Sequence, residues 1–122
     1  MVKALLDTNI LIDYLRGIPQ AKSELERYDH CAISVITWME VMVGTTAQTK
    51  AGTEAFLSGF ALMALDEAVA QRAVAIRQEK RIKLPDAIVW ATAQVHNCIL
   101  VTRNTKDMPA DEPGVRVPYT LQ

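Results

Sequence analysis

Cysteine, long hydrophobic runs and a surplus of one charge are all scarce in this sequence of 122 residues. Its two cysteines, Cys31 and Cys98, lie beside apolar residues, so we expect reduced core side chains rather than a disulfide framework. Only three apolar residues separate Lys3 from Asp7, too few for a secretory signal. No segment approaches the roughly 20 apolar residues that a membrane span needs. The sequence therefore predicts a cytoplasmic protein that does not enter a membrane.

The charges nearly cancel, with 13 Lys and Arg against 14 Asp and Glu and a formal net charge of -1. Such a domain has no global positive field that attracts nucleic acid, so any RNA binding must be local. Metal ions held at an acidic site would supply the missing positive charge. The charge balance lowers the expectation of a nucleic-acid partner without excluding one.

Hydrophobic residues make up 50% of the chain, which suffices for one core, so we expect a single domain over residues 1–122. Short apolar runs alternate with segments of helical periodicity, and this alternation predicts an α/β fold around a mostly parallel sheet. Five runs are candidate strands, at residues 2–6, 31–33, 62–65, 98–102 and 115–117. The acidic, proline-containing stretch 108–114 is predicted to be a surface loop.

Two acidic residues follow predicted strands, where ligand sites of open parallel sheets form. Asp7 ends the first apolar run and opens a helix, so capping of that helix explains it equally well. Asp107 follows the fourth run across a polar turn that Asn104 is expected to cap, and a solvated surface acid is the alternative.

Two further acids lie near predicted helix starts. Glu40 interrupts a bulky apolar run, which suggests partial burial, but Thr37 and Glu40 also have the spacing of a capping box. Asp86 stands beside Pro85 in the first turn of an apolar helix. The helix dipole stabilises an acid there by about 0.3 to 1 kcal/mol, too little to offset burial of an ionised carboxylate.

The four acids together are harder to explain by capping than any one of them, because the predicted fold allows them to converge at one edge of the sheet. Clustered carboxylates raise one another's pKa unless a divalent cation holds them, and Mg²⁺ or Mn²⁺ prefers oxygen ligands. The acidic cluster thus predicts its own cofactor.

The sequence resembles the PIN-domain ribonucleases, specifically the VapC-type toxins of bacterial toxin-antitoxin pairs, over essentially the whole chain. The resemblance rests on the order and spacing of four segments rather than on any one of them. They are Leu6 to Asn9, Ile36 and Thr37 with Glu40 and Gly44, Leu84 to Ile88, and Val101 to Asn104 with Asp107.

The resemblance implies an α/β/α sandwich, Mg²⁺-dependent RNA cleavage, homodimerisation, and inhibition by a VapB-type antitoxin that inserts a segment into the active-site groove. Carried over by position, the catalytic acids are Asp7, Glu40, Asp86 and Asp107, with Asp7 and Asp86 as direct metal ligands. Thr8 and Asn9 are expected to orient the first acid or to bind metal-bound water. Some relatives carry an acid at the position of Asn104, and Met108 stands where Phe is common, so the fourth role is the least defined.

Basic residues near these segments are candidates for phosphate contacts, although solvated surface charge is the more frequent explanation of such residues. The tryptophans, Trp38 and Trp90, are expected to pack in the core or in a dimer. The candidate RNA contacts are Arg16, Lys80, Arg81, Lys83 and Arg103.

Two other functions stay open on the sequence alone. A phosphoryl-accepting signalling domain would also use an acidic, Mg²⁺-binding sheet edge, but it needs paired acids after the first strand, where Thr8 and Asn9 follow Asp7. A non-catalytic PIN-like scaffold that binds RNA or protein would be expected to lack one of the core acids.

Overall fold

A five-stranded sheet forms the centre of the computed structural model, which describes residues 3–108 and 112–121. Its strands are β1 (Lys3–Leu6), β2 (His30–Ser34), β3 (Ala61–Met63), β4 (Ile99–Val101) and β5 (Val115–Arg116). They are ordered β3-β2-β1-β4-β5, and every neighbouring pair is parallel. The predicted mostly parallel sheet of five strands is confirmed. Val2, predicted in the first strand, lies outside the described residues, as do residues 109–111 of the predicted loop.

Six helices within the described residues lie between the first four strands, because neighbouring parallel strands need a long crossover connection. They are α1 (Thr8–Leu15), α2 (Pro19–Glu26), α3 (Val35–Val43), α4 (Lys50–Leu57), α5 (Glu67–Lys80) and α6 (Leu84–Val95). No described helix is long and apolar enough to cross a membrane.

The two faces of the sheet carry separate hydrophobic clusters, because successive side chains of a strand point to opposite faces. Leu5 and Leu100 pack with α5 and α6 on one face, where Trp90 is only 2% exposed. Leu6 and Val101 pack with α1, α3 and α4 on the other. The burial of all residues from Ala87 to Ala93 confirms that α6 is an apolar helix packed on nearly all sides. Cys98 is buried and Cys31 half-buried, and both are free thiols.

The observed helix starts determine where three acidic residues lie within or next to their helices. Asp7 is the N-cap of α1, as its position after the first strand predicts, and Asp66 is the N-cap of α5. The predicted capping box of Thr37 and Glu40 is wrong, because the N-cap of α3 is Ser34, three residues before Thr37, and the helix begins at Val35. The Ser34 hydroxyl accepts from the backbone N–H of Ile36 at 3.1 Å. Glu40 is therefore in the middle of the helix and free to act elsewhere.

Candidate active site

The end of β1 lies at the centre of the sheet, and Asp7 follows it directly. The Asp7 backbone N–H extends the parallel ladder by donating to the Val101 carbonyl at 2.9 Å. Asp7 is only 4% exposed. A buried ionised group of this kind is stable only when donors or a cation surround it.

Three donors make four hydrogen bonds to Asp7 or to its immediate support. The Asp7 Oδ2 atom accepts from Thr102 Oγ1 at 2.7 Å and from Asn9 Nδ2 at 3.3 Å. Oδ1 accepts from the backbone N–H of Thr8 at 2.8 Å. Asn9 Nδ2 also donates to Thr102 Oγ1 at 3.3 Å, so the two supporting side chains hold each other. Asp7 is thus a rigid carboxylate with a fixed orientation.

Burial raises the pKa of Asp7, and the hydrogen bond from Thr102 acts in the opposite direction. The negative charge of Glu40 raises it further, so the two carboxylates, 33 positions apart, sense each other across the site.

Glu40 is exposed, so the partial burial expected from its apolar neighbours is wrong. Of the residues of α3 only Thr37 and Val41 are buried, and the apolar Met39 is exposed like Glu40. Glu40 Oε1 accepts from Thr8 Oγ1 at 2.6 Å, and Thr8 Oγ1 also lies 3.3 Å from Thr37 Oγ1. The Thr8 side chain therefore orients Glu40, whereas only its backbone holds Asp7.

Asp86 lies in the first turn of α6 and is half-buried. Partial burial is the main reason that its pKa rises to about 6, and the charges of Asp7, Asp107 and Glu40 add to the shift. The other three predicted acids thus lie within electrostatic reach of Asp86. Asp86 holds its proton up to this pH because it is partly buried and has negative neighbours, so a cation bound there would displace the proton.

Asp107 and Asn104 form a compact turn after β4. Asn104 Oδ1 accepts from the Asp107 backbone N–H, and Asn104 Nδ2 donates to Asp107 Oδ2, both at 3.3 Å. The capping role expected of Asn104 is confirmed. Its side chain also fixes the position of Asp107, the fourth acid. Asp107 is half-buried rather than a fully solvated surface acid.

The donor set suits a hard divalent cation, because it consists of carboxylate oxygens with hydroxyl and amide support. Within residues 3–108 and 112–121, no three carboxylate, histidine or cysteine side chains are grouped closely enough to hold a metal ion by themselves. Mg²⁺ usually keeps several waters and needs only one or two protein carboxylates. Asp7 and Asp86 satisfy that requirement, and their metal-ligand role stays a prediction.

The five candidate RNA contacts differ in their exposure and in whether another side chain already binds them. Arg103 is bound to Asp13 by two hydrogen bonds, of 2.7 and 3.0 Å, and Lys80 lies 3.1 Å from Glu112 and 5.5 Å from the Trp90 ring centroid. Arg81 and Lys83 are exposed before α6. Arg16 lines a groove of about 360 Å³ that reaches Glu40.

Sequence reasoning missed three residues that support the acids. Thr102 carries the shortest hydrogen bond to Asp7, Thr37 contacts Thr8, and Asp13 binds Arg103. A sequence signal existed for Thr102, a polar residue at the end of an apolar strand that neighbours β1. Asp13 gave none, because an acid six positions after Asp7 has no expected partner.

This architecture, a parallel sheet with acids at its carboxyl edge, defines the class of the protein. The family model of the PIN domain matches residues 4–109, and the chain belongs to the PIN-domain family.

Individual relatives refine this class and confirm the resemblance to VapC-type proteins. The chain is similar to "Ribonuclease VapC10" from Mycobacterium tuberculosis, with 30% identity over 116 residues that cover 88% of this chain and 87% of the relative. It is also similar to a chain of a solved toxin-antitoxin complex from Klebsiella pneumoniae, with 51% identity, a TM-score of 0.92, and coverage of 97% of this chain and 99% of the other. A chain of FitAcB from Neisseria gonorrhoeae is 26% identical with a TM-score of 0.77, over 97% of this chain and 99% of the other.

Proposed function

We propose that this protein is a metal-dependent endoribonuclease and the toxin of a toxin-antitoxin pair, with Asp7, Glu40, Asp86 and Asp107 as its catalytic acids. One observation carries the proposal: carboxylates from three other segments lie within electrostatic reach of Asp86, and partial burial together with their charges raises the pKa of Asp86 to about 6. A purely structural cluster of acids without a cation would destabilise the fold. The "Ribonuclease" name of the Mycobacterium tuberculosis relative supports RNA as the substrate.

We assign Asp7 and Asp86 to metal binding, with Mg²⁺ as the expected ion and Mn²⁺ as a substitute. When bound, the ion supplies positive charge to the phosphodiester and makes a water molecule easier to deprotonate. Asp7 is suited to this role because Thr102 and Asn9 fix its carboxylate before any ion arrives.

Glu40 is the free carboxylate of the set, since it is exposed and held by a single hydrogen bond from Thr8. It is therefore suited to orient an attacking water and accept its proton. Attack on phosphorus forms one P–O bond and breaks the bond to the leaving oxygen, which must take up a proton. The exposed Arg16, Arg81 and Lys83 are positioned on the surface to contact RNA phosphates.

We also propose a VapB-type antitoxin as the protein partner and a homodimer as the assembly. The Klebsiella pneumoniae relative, described as part of a toxin-antitoxin complex, supports the partner. A toxin that cuts cellular RNA acts where that RNA is, so we place the protein in the cytoplasm. Light scattering of the purified protein, alone and with the product of any small gene adjacent to its own, measures both assemblies.

The test of the enzymatic proposal is cleavage of a mixed cellular RNA pool by purified protein with Mg²⁺, with EDTA, and by the Asp7→Asn variant in Mg²⁺. We expect cuts that require Mg²⁺ and disappear in the variant. Asp29→Asn is the matched control, because it makes the same change in an exposed acid just before β2, at the opposite edge of the sheet.

A non-catalytic scaffold that binds RNA or protein is the alternative, and the presence of all four acids does not favour it. A folded wild-type protein that binds Mg²⁺ and leaves RNA intact would support the scaffold instead. A signalling domain is favoured still less, since it would be phosphorylated on an acid by a small phosphodonor, a reaction that the same purified protein can be assayed for.

A further inference from the structure

A buried ion pair lies beside the candidate active site, outside the set of acids. Asp13, in the third quarter of α1, is 2% exposed. Its Oδ2 atom accepts from Arg103 Nε at 2.7 Å and its Oδ1 atom from Arg103 Nη2 at 3.0 Å. Tyr119 donates its hydroxyl to Asp13 Oδ2 at 2.8 Å. A bidentate pair of this kind has a fixed geometry as well as a favourable energy.

The same arginine is tied to the site through its backbone. The Arg103 N–H donates to Asn9 Oδ1 at 3.0 Å, and Asn9 is the residue whose amide supports Asp7. Helix α1 and the turn after β4 are therefore joined at two points by one residue. The first point is the Arg103 side chain on Asp13, and the second is its backbone on Asn9.

The turn that Arg103 begins carries the fourth acid. Asn104, the next residue, holds Asp107 by hydrogen bonds from and to its side chain. Thr102, the preceding residue, holds Asp7 and accepts from the Asn104 backbone N–H at 3.0 Å. A shift of Arg103 would thus move acids on both sides of the site.

We propose that Asp13 and Arg103 are positioning residues, a pair that fixes the turn of residues 102–107 on α1 and so sets the distance between Asp7 and Asp107. This inference rests on the proposed function, because it assigns the pair to the geometry of that site. It also gives Arg103 a role other than gripping RNA, since the charge of its guanidinium is compensated by Asp13.

The chain contains a matched control pair of the same chemistry. Glu24 is 4% exposed and accepts from Arg116 Nε at 2.7 Å and Nη2 at 3.1 Å. Tyr28 donates its hydroxyl to Glu24 at 2.6 Å, as Tyr119 does to Asp13. Glu24 lies on α2, which contributes no acid to the site. Loss of either pair should lower stability, but only loss of the Asp13 pair should affect the acids.

The experiment compares wild type, Asp13→Asn, Arg103→Lys and Glu24→Gln under conditions where all four are folded by circular dichroism. Two quantities are measured: kcat and KM for an RNA substrate, and the affinity for Mg²⁺ alone by titration calorimetry. We expect Asp13→Asn to lower kcat or Mg²⁺ affinity by about 10- to 100-fold with KM little changed, the range for loss of a group that orients a metal ligand. Arg103→Lys keeps the positive charge but cannot form the bidentate pair with Asp13, so it should show a smaller loss in the same quantities. Glu24→Gln should match wild type.

A phosphate-binding Arg103 would give the opposite pattern. Asp13→Asn would then free the guanidinium and strengthen RNA binding, and Arg103→Lys would leave kcat unchanged. Equal losses in Asp13→Asn and Glu24→Gln would also overturn the inference, since they would show a general effect of stability. If wild type binds Mg²⁺ but leaves RNA uncut, the proposed function fails while the Mg²⁺ affinities still decide the role of Asp13. If wild type binds no Mg²⁺, both fail.

Discussion

Single side chains decide what the acidic edge can do, and Thr102 is the clearest example. Its hydroxyl is completely buried, donates to Asp7 at 2.7 Å, and accepts from Asn9 and from the Asn104 backbone. No other side chain contacts Asp7 at such a short distance among the residues described. The residue thus connects the metal-binding candidate with the turn that carries the fourth acid.

Replacing Thr102 with Val keeps the shape of the side chain but removes the shortest hydrogen bond to Asp7 and the acceptor of the Asn104 backbone N–H. An unsatisfied buried polar group costs about 1 to 3 kcal/mol, so we expect urea denaturation to show a loss of that order. Activity should fall as well, because Asp7 loses its orientation. Thr92→Val is the control, since the buried Thr92 hydroxyl donates only to the Ile88 carbonyl within α6. A fall in activity of equal size in both variants would contradict the role given to Thr102.

Asp86 provides a second prediction at this scale, because its charge is opposed by three neighbouring carboxylates. The Asp86→Asn change removes that repulsion, so in EDTA the variant should melt at the same or a higher temperature than wild type at pH 7 to 8. Mg²⁺ should raise the melting temperature of wild type by mass action and leave the variant nearly unmoved. Thermal unfolding with and without Mg²⁺ measures both effects. A variant that melts lower than wild type in EDTA would show that Asp86 is already compensated without an ion.

At the scale of elements, the strands were predictable from sequence and the exact helix starts were not. A parallel sheet buried on both faces needs continuous apolar runs, and all five runs became strands within a few residues. Helix starts depend on which of several competing caps forms. Ser34 and Thr37 are both good caps, and Ser34 prevails because β2 ends there, so α3 begins at Val35.

The site was only partly predictable, because part of it depends on contacts between segments that are distant in the chain. Three acids follow from their position after a strand or at a helix start, but the support from Thr37, Asp13 and Thr102 depends on contacts between distant segments. Asp13 and Arg103 are 90 positions apart in the chain. Periodicity and capping rules describe local preferences and therefore give no information on such a pair.

Helix α5 gives a prediction on capping that is independent of the site. Asp66 Oδ1 accepts from the Val69 backbone N–H at 2.9 Å, and Asp66 is itself exposed. The Asp66→Ala change should therefore lower the free energy of unfolding by about 0.5 to 2 kcal/mol and leave kcat unchanged. Asp66→Asn, which keeps a capping oxygen, should retain most of the stability. Urea denaturation of the three proteins checks this, and an unchanged midpoint for the alanine variant would mean that the cap contributes nothing.

At the scale of the whole molecule, two groups of carboxylates respond to pH in opposite directions. The arginine partners of Asp13 and Glu24 hold the pKa of each carboxyl below its usual range, against the opposing effect of burial. Burial and neighbouring negative charge raise the pKa of Asp7 and Asp86. The first group lies where α1 and α2 meet the C-terminal segment, and the second lies at the carboxyl edge of the sheet. The molecule therefore combines stabilising ion pairs with a site that is unfavourable without a cation.

The signs of these shifts predict how stability depends on pH. A carboxyl with a lowered pKa stabilises the fold above its unfolded pKa, about 4.5 for Glu24, and the contribution is lost as the pH falls through the folded pKa. The free energy of unfolding of wild type should thus exceed that of Glu24→Gln at pH 7, and the difference should shrink below about pH 4.5. Asp86, with its pKa raised to about 6, has the opposite effect. In EDTA, the free energy of unfolding of Asp86→Asn should therefore rise relative to that of wild type as the pH rises from 4 to 7. Urea denaturation of the three proteins across this range tests both signs at once, and a constant difference for Glu24→Gln would show that Glu24 titrates alike in the folded and unfolded chain.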